Sequence, residues 1–155
     1  MFKIRKGFTL VELLIVIVII GILAAAMLLS SGSATDSAEA SNIISDLRSL
    51  KSAALLLHAD SMDDGTYRGL TSLALMQALG KYSDNPGKFT SATALVNGWG
   101  VTGNPGDGYV AHRNITALNA GVKTRLQGRA KNVGLVTDSR TTDYDGGNIV
   151  GMVMR

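Results

Sequence analysis

The residues able to do chemistry are few and scattered. The chain has no cysteine, which excludes thiol nucleophiles, disulfides and cysteine-ligated metals. Its two histidines, His58 and His112, lie far apart and have no third group at a catalytic or metal-binding spacing. GWGVTG at residues 98–103 satisfies G-x-G-x-x-G as a string, but a dinucleotide site needs a strand before it and a helix opening on its last glycine. NPGDG follows instead, so the expectation is a glycine-rich hairpin loop, with Trp99 a packing anchor or an adhesive loop aromatic. DSRTTDYDGGN at residues 138–148 groups Asp138, Asp143, Asp145 and Asn148, hard oxygen ligands of which calcium takes about six to eight. The spacing is not that of an EF-hand and Asp-Gly-Gly is also a turn signal, so the expectation is no cofactor, with calcium as the minor alternative. NIT at residues 114–116 fits the N-glycosylation acceptor pattern and carries little weight alone. No G-x-S-x-G, H-E-x-x-H or P-loop occurs, and no enzymatic activity is expected. That leaves one carboxylate in an unusual place: Glu12.

Glu12 sits near the start of residues 8–29, where Thr9 is the only other polar side chain. As a helix these 22 residues measure about 33 Å, the thickness of a bilayer's hydrocarbon core. The run is too long for the apolar core of a signal peptide, although Ala24, Ala25 and Ala26 could imitate a cleavage site. Three cations, Lys3, Arg5 and Lys6, precede it and leave 12 cations against 12 anions in the remainder. The basic excess is thus a topology signal that keeps the N-terminus in the cytoplasm, and no specific nucleic-acid partner is expected. A carboxylate in such a helix is costly and persists where it has a partner. Nothing cationic lies within the run, so either Glu12 snorkels to the interface or its partner comes from elsewhere.

The string KGFTLVELLIVIVIIGILAA at residues 6–25 resembles the N-terminus of type IV prepilins and of type II secretion pseudopilins. The shared pattern is a short basic leader, Gly, Phe, Thr, Leu, any residue, Glu, and about twenty apolar residues. The resemblance implies that prepilin peptidase cuts between Gly7 and Phe8, that Phe8 is N-methylated, and that Phe8, Thr9 and Glu12 serve assembly. It further implies an inner-membrane precursor, extraction by an assembly ATPase and platform, and packing into a helical homopolymer. The new Phe8 ammonium of one copy would meet Glu12 of its neighbour. Members of the family commonly have proline where this chain has Leu29; here the nearest helix breakers are Gly21 and SSGS at residues 30–33.

The rest of the chain must carry a head. Ala40, Ile43, Ile44, Leu47, Leu50, Ala54 and Leu57 recur at helical spacing, opposite Asp36, Glu39, Asp46, Arg48 and Lys51. Leu55 and Leu56 widen that stripe, which predicts deeper cover toward its end. Joined to the apolar run, this makes a helix of roughly 50 residues, ended by the turn DSMDDG at residues 60–65. Short helices are expected at 70–80 and 116–130, a loop at 83–88, and strands at 93–101, 108–115, 133–137 and 148–154. The predicted class is α+β, a long N-terminal helix packed on a small antiparallel-sheet head. The predicted divisions are a cleaved leader (1–7), a membrane and filament-core helix (8–29), its amphipathic continuation (30–60) and a globular head (61–155).

Two functions of one class fit. A type IV pilin polymerises into a surface filament for adhesion, motility or uptake; a pseudopilin builds a short periplasmic filament for secretion. The competing class, a Sec-anchored enzyme or binding module, gives no reason for Gly-Phe-Thr-Leu-x-Glu.

Overall fold

Apolar residues at every helical phase, followed by apolar residues at one phase, fold here as a single helix. The computed structural model describes residues 7–60, 70, 72–89, 98–104, 108–137 and 141–154. Helix α1 spans Leu10–Asp60. It continues through Gly21 and through residues 30–33, so neither expected breaker breaks it. A helical glycine costs only about 1 kcal/mol relative to alanine. Hydroxyls nearby bond back to the preceding turn: Thr35 Oγ1 donates to the Ser31 carbonyl at 3.1 Å and Ser41 Oγ to the Ser37 carbonyl at 2.8 Å. The chain divides into two units, Met1–Thr35 and Asp36–Arg155.

In the second unit, Ala40, Ile43, Ile44, Leu47, Leu50 and Ala53 of α1 are buried, with Ala54 and Leu57 partly so. The expected deepening at the end of the stripe is not found: Leu55 and Leu56 are 51% and 53% exposed. They fall one and two residues beyond Ala54 and so turn off the face that meets the head. Helix α2, Ser72–Gly80, buries Leu75, Met76 and Leu79. The expected loop at 83–88 contains one helical turn, α3, Pro86–Phe89. Proline suits a first helical position because its φ is preset and its missing N–H would have had no partner. The turn delivers Phe89 to the core.

The sheet is antiparallel throughout, in the order β1-β2-β4-β3, with β1 Trp99–Asn104, β2 Gly108–Asn114, β3 Leu135–Val136 and β4 Ile149–Met154. Side chains alternate across it, and Trp99, Val101, Ala111, Val150, Met152 and Met154 join the core. Helix α4, Ala120–Val133, buries Val122, Leu126 and Ala130, spaced one turn apart. This helix starts four residues later than expected. The chain first turns at Asn114, whose Oδ1 accepts from Thr116 N at 2.9 Å and Thr116 Oγ1 at 2.6 Å. It also ends later, and this shortens the expected strand at 133–137 to two residues. Val133 completes the helix and Gly134, at φ +74°, caps it, its N–H donating to the Ala130 carbonyl at 2.8 Å. Strand β1 runs past Val101 to Asn104; residues 93–97 and the turn at 61–65 lie outside the described residues. Gly121 lets α4 approach α1, since a Cβ there would overlap the Asp36 carboxylate. The class is α+β, as expected from the order of elements.

Candidate functional site

The first turn of α1 shows how Glu12 is accommodated. Gly7, Phe8 and Thr9 precede the helix, and Phe8 is 84% exposed. Thr9 is the N-cap residue and Glu12 the third helical position, which is the T-x-x-E pattern of a capping box. Three hydrogen bonds realise it. Glu12 Oε2 accepts from the Thr9 backbone N–H at 2.9 Å and from Thr9 Oγ1 at 2.8 Å, and Thr9 Oγ1 accepts from the Glu12 N–H at 3.2 Å. Two of the donors that a helix start leaves over are thereby satisfied. Both carboxylate contacts use Oε2; among the described residues nothing donates to Oε1. Reading Glu12 only as a charge in need of a cation missed this partner, although the T-x-x-E signature was in plain view. A neutral local partner and a vacant second oxygen are compatible with a later ionic one.

Past this cap, the described apolar side chains from Leu10 to Leu28 are exposed all round, and the helix is long and apolar enough to cross a membrane. A Cβ at Gly7 would meet nothing within 4 Å, so the fold itself does not demand glycine there.

The remaining candidates are placed otherwise. The G-x-G-x-x-G string forms β1 and leads into β2, with no helix opening on its last glycine. Trp99 is 2% exposed, which settles it as a packing anchor and removes the adhesive reading. Its ring meets Phe89 edge-on at 5.2 Å, Arg113 lies over it at 5.3 Å, and Lys88, 5.9 Å from it, pairs with Asp46 of α1. His58 lies on α1 and His112 on β2. Asn114 Oδ1 is engaged in its turn with Thr116.

Of the four oxygen-ligand residues, Asp138 lies outside the described residues. Asp143 pairs with Val136 through backbone and exposes its carboxylate. Asp145 Oδ1 accepts from the Gly147 N–H at 3.1 Å, and Asn148 Oδ1 accepts from Lys123 Nζ at 2.8 Å. Among the described residues no three His, Asp or Glu side chains gather at one point. Between the acids, Tyr144 is 2% exposed and donates its hydroxyl to the Gly147 carbonyl at 2.7 Å. Burial, and then the neighbouring Asp145 charge, push the Tyr144 hydroxyl up to about 12. The loop is thus organised as a self-bonded turn around a buried ring.

No curated protein and no solved structure matches the chain. One family model does: the prokaryotic N-terminal methylation motif, over residues 2–28. This stretch contains Gly7, Phe8, the Thr9–Glu12 capping box and nearly all of the apolar run. That motif marks the precursors of type IV pilins and pseudopilins, and in this chain it is joined to an apolar helix and a small α+β head.

Proposed function

We propose that this chain is the structural subunit of a type IV pilus-like filament used in adhesion, motility or uptake. The methylation motif over residues 2–28 carries the reading, because it supplies a processing point immediately before a capped helix whose first half is apolar apart from Glu12. The precursor sits in the inner membrane with its basic N-terminus in the cytoplasm. Prepilin peptidase cleaves between Gly7 and Phe8, and the same enzyme N-methylates Phe8. An assembly ATPase and its platform then extract the subunit into a helical homopolymer outside the membrane. Residues 1–7 are the leader, 8–29 the membrane and filament-core helix, 30–60 its continuation and 61–155 the head. The subunit is not an enzyme.

The chemistry turns on one new charge. Cleavage converts the Phe8 amide nitrogen into an ammonium, and in a staggered bundle that group reaches Glu12 of a neighbouring copy. The Thr9 bonds leave Oε1 of Glu12 to receive it, and the attraction is strengthened by apolar surroundings. A pseudopilus would use the same step.

Mass spectrometry of the purified protein tests the class. A mature chain beginning at N-methylated Phe8 is expected; a chain beginning at Met1, or after Ala26, would remove the reading. Identification of the subunit in filaments sheared from the cell surface then separates pilus from secretion.

A further inference from the structure

Helix α4 carries four cations, Lys123, Arg125, Arg129 and Lys131, and no acid. Its two flanks meet different neighbours. On one, Arg129 Nη1 donates to Ser41 Oγ of α1 at 2.9 Å. Here an open groove of about 280 Å³ runs between the two helices, lined by Ser41, Ile44, Ser45, Arg48, Arg129 and Val133. Ser41, Ser45 and Arg48 follow one another at helical spacing on α1, and Arg129 and Val133 do so on α4. Two guanidinium groups and two hydroxyls therefore border a partly apolar floor. Arg129 is held in place by Ser41, while Arg48 is exposed and makes no ion pair among the described residues. Such a groove fits carboxylates.

On the other flank, Lys123 holds Asn148 and Gln127 faces Gly146, so the loop bearing Asp143 and Asp145 lies there. Both carboxylates are exposed. A helix about 10 Å across separates the acidic loop from the cationic groove, so one copy cannot fill its own groove. Apart from its first six residues the chain is formally neutral, and these charges are segregated by position rather than by excess.

We infer that the groove at Arg48 and Arg129 receives the Asp143–Asp145 loop of a second copy of this chain. Two different patches of one molecule then meet head to tail. Such a contact repeats without closing on itself when the copies are related by a helical step, which is the geometry of a filament. The inference rests on the filament reading and adds to it a contact between heads, remote from Glu12.

The test is made on the full chain in cells that assemble it, with sheared filament yield, mass of the mature chain and the melting midpoint read for each variant. Arg48→Glu with Arg129→Glu, and separately Asp143→Lys with Asp145→Lys, are expected to lower filament yield about tenfold or more, because like charges face each other across the contact. Maturation and melting stay as in the wild type. Arg48→Glu alone keeps the Arg129–Ser41 bond and carries the same expectation in weaker form. All four substitutions together restore the yield to within about threefold of wild type, since the contact is re-formed with its signs exchanged. Wild-type yield from either charge-reversed pair, or no recovery in the fourfold variant, overturns the contact while leaving the filament intact as a reading. A wild-type chain that is never matured and never found in filaments removes both.

Discussion

Leu47→Ala tests whether the second half of α1 is the central support of the head. Leu47 is fully buried, in one cluster with Ile43, Leu50, Leu126 and Met152. Truncating a leucine in such a setting removes its transfer free energy and leaves a cavity, for which about 3–4 kcal/mol is a central expectation. The unit that it supports runs from Asp36 to Arg155. For a unit of that size the unfolding entropy makes this a fall of about 14 °C in melting midpoint. Leu55→Ala is the internal comparison. It removes the same atoms from the same helix two turns on, but Leu55 is 51% exposed, so its cost is about 1 kcal/mol or less. The chain has a single tryptophan, and Trp99 is buried against Phe89, so its fluorescence reports unfolding of the head without a label. The assay is thermal and denaturant unfolding of the detergent-solubilised full chain. Equal losses from the two variants would refute the reasoning, because they would mean that Leu55 and Leu56 are covered as the sequence pattern suggested. Cleavage at Gly7 should be unaffected by either, since the leader lies in the other unit.

At the helix start, Glu12→Gln keeps a side chain able to complete the capping box but removes the charge, whereas Thr9→Val removes the cap's hydroxyl and keeps the charge. If pairing with Phe8 drives assembly, Glu12→Gln abolishes filaments with maturation intact and Thr9→Val lowers the yield only about fivefold or less; the reverse order in sheared-filament yield would make the cap the essential feature. Gly7→Val accumulates full-length precursor on an immunoblot, although the fold has room for the side chain, so normal processing would show that the peptidase does not require glycine there. The raised pKa of Tyr144 means that folding favours its neutral form, so the stability it contributes is present below about pH 10 and is lost as pH rises through about 12. Tyr144→Phe should flatten that alkaline limb in pH-dependent melting, and an unchanged limb would assign it to another group. Calcium added to the full chain should move the melting midpoint by less than about 1 °C; a saturable rise of several degrees would show that the loop at 141–148 rearranges into a site.

What the sequence determined by itself is what depends on neighbours along the chain. The string from Gly7 to Glu12, the apolar run behind it and the stripe from Ala40 to Leu50 are all local patterns, and each appears where its spacing placed it. The capping box belongs with them: Thr9 and Glu12 lie three residues apart, and the bond between them needs nothing else. The α+β class was also legible, because the order of helical and alternating segments survives errors at their ends. Boundaries failed where a distant partner decided them. Only two residues of the strand expected at 133–137 pair, because Gly134 caps α4 and β4 offers a partner to Leu135 and Val136 alone. Leu55 and Leu47 are the same residue type on the same helix, and only the head's placement against α1 makes one core and the other surface. Asn148 reads in sequence as an oxygen ligand, yet Lys123, 25 residues earlier, occupies it. The opposed flanks of α4, with arginines toward α1 and the acidic loop behind, exist only once the sheet order has set where the loop before β4 returns. Hydrophobic period and helix capping act within a few residues, so the sequence displays them. Burial and charge pairing act through space, and only the packed chain brings those partners within reach.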